Sequence, residues 1–142
     1  MESIAKAHVV VGGTAEGPLV KSTCPISFWG GVDPQSGSII DRRHDRCGDT
    51  IAGCVFAFPE EKGSSTASAV LVELIRNGQA PAAIITREMP AILALGSIIG
   101  DELYCTSVPI LVIDPASYDS LADGSRLRIS ERGEIRLVGN GG

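Results

Sequence analysis

The sequence lacks several features that would assign it to a class of protein at once. It contains no dense run of lysine and arginine, and its formal net charge is −5. Nucleic acids and anionic membranes are bound through clustered cations, so the composition argues against both as partners. The one basic cluster, at residues 41–46, interleaves three arginines and a histidine with two aspartates, which is typical of a solvated loop.

Long apolar runs are also missing. No stretch approaches the about 18 consecutive apolar residues that a membrane span requires, and residues 1–6 lack the basic-then-apolar layout of a signal peptide. We therefore expect a cytoplasmic protein. A chain of 142 residues with 44% hydrophobic residues has the size of one domain. We expect a single domain over residues 1–142, with its core at about 8–138.

The four cysteines show no metal-binding pattern. They form no C-x-x-C pair and no cysteine–histidine cluster with the spacing of metal ligands. We therefore expect no metal bound by this chain alone and, in a reducing cytosol, four free thiols. Cys54 and Cys105 lie in apolar segments, which predicts that they are small buried hydrophobic residues.

Short apolar segments alternate with turn signals along the chain. The predicted strands are His8–Val11, Pro18–Val20, Cys54–Phe58, Ala83–Thr86 and Pro109–Ile113, followed by a hairpin of Arg126–Ser130 and Glu134–Val138.

Two helices are predicted between these strands. Ala67–Ile75 has apolar residues at helical spacing, a serine before it as N-cap and Asn77-Gly78 as its stop. Pro90–Ile99 begins with proline at a first-turn position and stops at Gly100. Because this second helix is apolar nearly all round, it should be buried or packed against a partner. The order of elements predicts an α/β fold with a mixed sheet or open barrel and about two main helices.

An irregular stretch occupies residues 27–37. Its glycine, proline, aspartate and serine content does not support a helix or a long strand, and loops of this length tend to be functional. Trp29, the only tryptophan, is followed by Gly30 and Gly31. It is either a contact to a ligand or partner or a core residue under the loop. Asp33 is either an acid–base group or a turn-forming aspartate.

The segment Lys62–Thr66 carries the strongest chemical signal. It leads from a strand into the first helix, and Gly63 permits an unusual turn. Amide N–H groups and three hydroxyls then lie at the positive end of the helix dipole, where a carboxylate or phosphate binds and a serine alkoxide is stabilised. The spacing matches neither a P-loop nor a nucleophile elbow. Ser64 is therefore a capping residue or a catalytic or anion-binding group.

Hydrolytic catalysis has little support in the sequence. A triad could combine Ser64, His44 and Asp41, but nothing in their spacing favours it. His8 lies on a predicted strand and is expected to be a structural residue.

Several motifs taken together resemble one family. They are Ser27–Pro34, Gly37–His44, Ile51–Gly53, Gly63–Thr66 and Asn77–Ile84. From about Gly12 to about Val138 the chain resembles the small subunit, or swivelling domain, of aconitase X, a dehydratase of the aconitase superfamily. The resemblance implies a β/β/α domain that closes over a much larger subunit, in which cysteines hold an iron–sulfur cluster.

The resemblance also implies roles for the serine loop. Aconitase-type enzymes use the first serine of this loop to remove a proton next to a substrate carboxylate, which implies Ser64 as the base. Gly63, Ser65 and Thr66 would then bind the anionic group of the substrate. Other aconitases and isopropylmalate isomerases have an arginine where this chain has Thr66, which argues against a tricarboxylate substrate.

Two reactions are linked to this family: dehydration of cis-3-hydroxy-L-proline and dehydration of mevalonate 5-phosphate. Both need a base at the carbon alpha to a carboxylate and a Lewis acid for the leaving hydroxyl. Pro25–Trp29 and Leu103–Cys105 resemble bacterial members and favour hydroxyproline. A phosphate would need cations such as Arg42, Arg43 and Lys62. An alternative of another class is a stand-alone module that binds an anion for regulation.

Docking onto a larger subunit requires an exposed apolar surface. We expect it at Phe28–Trp29 or at Ile92–Ile99. The residues expected to line the interface or support the site are Trp29, Gly30, Gly31, Asp33, Arg42, Arg43 and His44.

Overall fold

An eight-stranded mixed sheet forms the centre of the computed structural model, which describes residues 2–62 and 64–139. The strands are β1 Glu2–Lys6, β2 His8–Val11, β3 Ala15–Lys21, β4 Val55–Ala57, β5 Ala83–Thr86, β6 Ile110–Val112, β7 Arg126–Ile129 and β8 Glu134–Leu137. The helices within the described residues are α1 Phe28–Gly31, α2 Ala67–Arg76, α3 Ala91–Tyr104 and α4 Pro115–Ser120. This confirms the predicted α/β class and its two main helices, α2 and α3.

The sheet runs in the order β1-β8-β7-β3-β4-β5-β6-β2. The central strands β3, β4, β5 and β6 are parallel, and the remaining pairs are antiparallel. β1 and β2 lie at opposite ends of this order, yet only Ala7 separates them in the chain. One extended segment therefore supplies the strands at both edges of the sheet. The sheet must curl to bring these two edges together. The Ala7 amide donates to the Gly133 carbonyl at 2.8 Å where the segment passes from one edge to the other.

Two apolar clusters lie on opposite faces of the parallel strands. β4 and β5 are buried on both faces, as expected for parallel strands covered on each side. Because side chains alternate along a strand, Phe56 and Ile84 pack with α2 and α3, whereas Val55 and Ile85 face the strands of the C-terminal hairpin and α4.

The helix α2 matches the predicted span, but its predicted serine cap is wrong. The residue before the helix is Thr66, which has helical angles of φ −68° and ψ −18° and no side-chain capping bond. The predicted stop is confirmed, since Gly78 has φ +70° and its amide donates to the Ile75 carbonyl at 3.1 Å.

The helix α3 continues beyond the predicted stop at Gly100 and ends at Tyr104. Gly100 faces Ile75 of α2, and a side chain at Gly96 would lie 2.7 Å from the Ser68 carbonyl oxygen. These glycines allow the two helices to approach closely, which is a packing role that local sequence does not reveal.

Cys105 follows α3 with a left-handed φ of 55° and is exposed, so its predicted burial is wrong. Cys54 is half-buried against the core, and burial raises the pKa of its thiol. All four cysteines are free thiols, as predicted.

Three elements, β1, α4 and the one-turn α1, are missing from the sequence prediction. β1 is short and only partly apolar, and it forms by pairing with β8. At α4, the Asp114 carboxylate accepts from the Ser117 amide at 3.0 Å, and Pro115 occupies the first turn. Residues 27–37 are mostly irregular, as predicted, with only the short turn α1. No helix in residues 2–62 and 64–139 has the length and apolar character to cross a membrane.

Candidate functional site

The carboxyl ends of the four parallel strands meet at one edge of the sheet, which is where open α/β sheets bind ligands. The segments that follow these strands are joined there by backbone hydrogen bonds. The Ser22 amide donates to the Ala57 carbonyl at 2.8 Å, and the Ile113 amide donates to the Thr86 carbonyl at 2.9 Å. The segment Phe58–Thr66 leaves β4 at this edge, so the structure places the serine loop where a ligand site is expected.

The loop presents unused hydrogen-bonding groups to solvent. Ser64 is half-buried, whereas Ser65 and Thr66 are exposed. The Ser64 carbonyl accepts from the Ala67 amide at 2.9 Å and starts the first turn of α2. The three amides of Ser64, Ser65 and Thr66 and the Ser64 hydroxyl have no hydrogen-bond partner among the described residues. Gly63, the predicted turn residue of this loop, lies outside those residues.

Such groups at the start of a ten-residue helix can receive a negative charge. Each amide donates a hydrogen bond, and the helix dipole adds a positive potential that extends over the first turn. The same potential lowers the cost of forming a serine alkoxide. The arrangement can therefore bind a carboxylate or support Ser64 as a base.

The loop is fastened to the segment that carries Trp29. The Lys62 amide donates to the Ile26 carbonyl at 2.9 Å, and Ile26 pairs with Glu61 in a parallel bridge. Phe28 is buried, with its ring centroid 6.0 Å from that of Phe58. These contacts fix the segment from which Trp29 projects.

Trp29 itself is 60% exposed, so it is not a core residue. Gly30 has φ +79°, which favours glycine, and a Cβ at Gly31 would lie 3.2 Å from the Ile26 side chain. The two glycines let the chain turn sharply beside an exposed indole. The structure thus places Trp29, Gly30 and Gly31 on the segment bonded to the serine loop.

Asp33 lies elsewhere. Its carboxylate accepts from the Gln35 amide at 2.9 Å and from the Ser36 hydroxyl at 3.1 Å, which is a turn-forming arrangement. The next residue, Pro34, accepts from the Asn77 side chain at 2.9 Å, and Asn77 ends α2. A helix of this length separates its two ends by about 15 Å. The structure therefore does not bring Asp33 to Ser64.

His44 is buried rather than solvated, so the prediction of a solvated loop is wrong at this residue. Its Nδ1 accepts from the Arg46 amide at 3.1 Å, which leaves Nε2–H to donate to the Ser22 hydroxyl at 3.0 Å. The Ser22 hydroxyl in turn donates to Asp45 at 2.7 Å. His44 therefore fastens its loop to the end of β3.

Asp45 and Arg46, two charged residues of this loop, are held by neighbouring groups. Burial acts to raise the pKa of Asp45, but the Thr23 amide and the Ser22 hydroxyl outweigh it and lower that pKa below its usual value. Arg46 pairs with Asp49 at 2.7 Å and with Asp123 at 2.8 Å.

Arg42 and Arg43 differ from Arg46. Both are exposed, and neither forms an ion pair with any residue in the described ranges. Their guanidinium groups are therefore available to an anionic ligand or partner.

In the part of the chain that the structure describes, no group of three or more His, Cys, Asp or Glu side chains could hold a metal ion. Ser22 and Glu61 belong to no local motif and act through partners distant in the chain, so the sequence does not predict their roles.

The fold is an α/β domain in which the open start of α2 lies at the carboxyl ends of the parallel strands. Comparison with known proteins adds its family. The chain matches the model of the aconitase X swivel domain over residues 4–137 and belongs to that family.

Three similar proteins illustrate the family. "Cis-3-hydroxy-L-proline dehydratase" of Pseudomonas aeruginosa is 47% identical over 130 residues, which cover 92% of this chain and only 22% of that protein. "Phosphomevalonate dehydratase small subunit" of Methanothrix thermoacetophila is 39% identical, with 96% and 95% covered. The crystal structure of Thermococcus kodakaraensis aconitase X in its holo-form superposes with a TM-score of 0.83 at 37% identity, covering 94% of this chain and 96% of that one.

Proposed function

We propose that the chain is the small, swivelling subunit of an aconitase X-type dehydratase, acting as one domain and inactive without a larger subunit. The observation that carries this proposal is the open start of α2, where a serine hydroxyl and three amides lie together without partners among the described residues. The family match and relatives named as dehydratase small subunits support it. The proposed location is the cytoplasm.

In the proposed reaction, the Ser64 oxygen removes the proton from the carbon alpha to the substrate carboxylate. The electron pair of that C–H bond forms a carbon–carbon double bond, and the hydroxyl on the neighbouring carbon leaves. The amides and hydroxyls of Ser65 and Thr66 bind the carboxylate, as Gly63 is also proposed to do, and stabilise the charge that builds up on it. The larger subunit is proposed to hold the iron–sulfur cluster, which supplies the Lewis acid.

We propose cis-3-hydroxy-L-proline as the substrate. The 47% identity to the Pseudomonas hydroxyproline enzyme supports this choice, whereas the Hypocrea jecorina hydroxyproline enzyme, at 37%, and the phosphomevalonate small subunits, at up to 43%, do not separate the two substrates. Mevalonate 5-phosphate is the second candidate, because Arg42 and Arg43 are exposed cations that could bind its phosphate. A third candidate, an anion-binding regulatory module, needs only the start of α2.

The test is an assay of the assembled enzyme, produced anaerobically together with the larger subunit from the same organism. Both substrates are supplied side by side. Turnover of hydroxyproline supports the proposal, and turnover of mevalonate 5-phosphate alone assigns the second substrate. If neither is dehydrated and the isolated chain binds acetate or phosphate in a titration, the regulatory module is the better account.

Ser64→Ala in that assembled enzyme should lower kcat by about 100-fold or more, because loss of a general base costs that much. The matched control is Ser120→Ala, which removes an exposed hydroxyl at the end of α4. Steady-state rates and subunit assembly are measured for both variants. A Ser64→Ala enzyme that assembles normally and keeps more than a tenth of its kcat would contradict the assignment of the base.

A further inference from the structure

The start of α3 is capped by a residue from another part of the chain. Pro90 occupies the N-cap position with φ −90° and ψ 72°, and it provides no side-chain cap. The Glu61 carboxylate takes that role. One of its oxygens accepts from the Ile92 amide at 3.0 Å, and the other accepts from the Leu93 amide at 3.2 Å. Both are charge-assisted bonds at the positive end of a fourteen-residue helix.

The backbone of Glu61 belongs to the serine loop. Its bridge to Ile26 and the adjoining bond from the Lys62 amide fix the loop on one side. Only Lys62 and Gly63 separate Glu61 from Ser64. The carboxylate therefore fixes the loop on the other side, a few residues before the proposed base.

Two buried hydrogen bonds hold α3 to the segment before β6. The Ser97 hydroxyl donates to the Val108 carbonyl at 2.7 Å and accepts from the Val108 amide at 2.8 Å, and both residues are buried. Gly96 brings α3 against Ser68 in the first turn of α2. The first turn of α2, the helix α3 and the loop before α2 thus form one connected unit, with Glu61 as the side chain that joins the loop to the start of α3.

We infer that Glu61 is a positioning residue for Ser64 in the proposed dehydration. Catalytic groups must be held to a fraction of an ångström, and a misplacement of about 1 Å can cost about 100-fold in rate. This inference rests on the proposed function. It adds that the position of the base depends on a carboxylate that never contacts the substrate.

The first test compares Glu61→Gln with Glu60→Gln in the assembled enzyme. Glu60 is exposed, and its side chain forms no hydrogen bond with the residues described. Glu61→Gln keeps the size of the side chain but replaces one accepting oxygen by an NH₂ group. We expect kcat to fall at least tenfold while KM changes by less than threefold, and we expect Glu60→Gln to behave as the parent. An unchanged kcat for Glu61→Gln would overturn the inference.

A second variant separates positioning from simple capping. Pro90→Asp in the Glu61→Gln background gives α3 a cap of its own. We expect this double variant to recover the thermal midpoint that Glu61→Gln lowers, without recovering kcat. Recovery of kcat together with the midpoint would mean that Glu61 only stabilises the helix, and the inference would be wrong.

Hydrogen exchange provides a readout that does not need turnover. In the assembled complex, the Lys62 and Ala67 amides, which donate to the Ile26 and Ser64 carbonyls, should exchange at least tenfold faster in Glu61→Gln than in Glu60→Gln. If the parent enzyme dehydrates neither substrate, the proposed function fails, and this comparison still tests the link between Glu61 and the loop. Equal exchange in the two variants would overturn the link itself.

Discussion

Ser22 organises the loop after β3 through a single hydroxyl. It accepts from His44 Nε2 at 3.0 Å and from the Cys24 amide at 2.9 Å, and it donates to Asp45. Its carbonyl accepts from the Tyr118 hydroxyl at 2.6 Å, and burial raises the pKa of that phenol. Since buried polar groups are costly when unpaired, breaking any one bond of this network is unfavourable. The network fixes the loop that exposes Arg42 and Arg43.

Asp45 makes this network sensitive to acid. Its folded-state pKa is lowered, so its carboxylate stabilises the fold above the ordinary value near 3.8, and the stabilisation disappears as the pH falls through the lower folded value. We expect Asp45→Asn to lower the free energy of unfolding at pH 7 by about 1 kcal/mol. Between pH 7 and pH 3, the free energy of unfolding of Asp45→Asn should fall by less than that of the parent chain.

Urea unfolding at the two pH values checks this prediction, with Asp119→Asn, at an exposed position, as the control. A parallel loss of stability in parent and Asp45→Asn chains would show that Asp45 does not contribute to the acid response.

At the scale of elements, α2 and α3 depend on two glycines for their close approach. Alanine normally stabilises a helix interior relative to glycine by about 1 kcal/mol. At Gly96, however, a Cβ would lie 2.7 Å from the Ser68 carbonyl oxygen and 3.1 Å from its Cα, and backbone atoms cannot move aside cheaply.

We therefore expect Gly96→Ala to lower the free energy of unfolding by about 1–3 kcal/mol, although alanine has the higher helix propensity. Gly100→Ala is the comparison, because its Cβ would meet the flexible end of Ile75 and should cost less. Urea denaturation measures both. If Gly96→Ala is as stable as the parent, the helices are not in contact at that point.

Local sequence patterns predict some of these elements and not others. The periodicity of Ala67–Ile75 and the apolar run Ala83–Thr86 each define an element because local pattern and burial agree. Gly100 was misinterpreted because its partner is on another helix. β1 was missed because its stability comes from pairing with β8.

The site also combines local contacts, which the sequence predicts, with distant ones, which it does not. Ser64 could be proposed because a strand, a glycine and a helix start are adjacent in the sequence. Ser22 and Glu61 could not, because their bonds reach His44 and the start of α3, and nothing local marks those distant partners.

On the scale of the whole molecule, two exposed apolar surfaces are candidates for docking. One surface contains Trp29 and the nearby Ile40, whose amide bonds to Gly31. The other is the outer face of α3, with Leu95 and Ile98. The first belongs to the segment bonded to the serine loop, so a larger subunit that completes the site must approach it.

We therefore predict that Trp29→Ala weakens assembly with the larger subunit by about 30-fold in Kd, as loss of a buried aromatic contact does. Leu95→Ala is the control and should change Kd by less than threefold. A fluorine-labelled tryptophan in this chain alone should shift its single resonance when the larger subunit is added. If Leu95→Ala weakens assembly and Trp29→Ala does not, α3 is the docking surface.

The segment that joins β1 to β2 has a consequence for how the chain acquires its structure. Glu2–Lys6 is synthesised long before Glu134–Leu137, the strand with which it pairs. In the same way, His8–Val11 is synthesised long before its partner strand, Ile110–Val112. Contacts between distant parts of a chain form slowly, because a large loop must close first. Both outer strands of the sheet can therefore pair only after the C-terminal half of the domain has been synthesised.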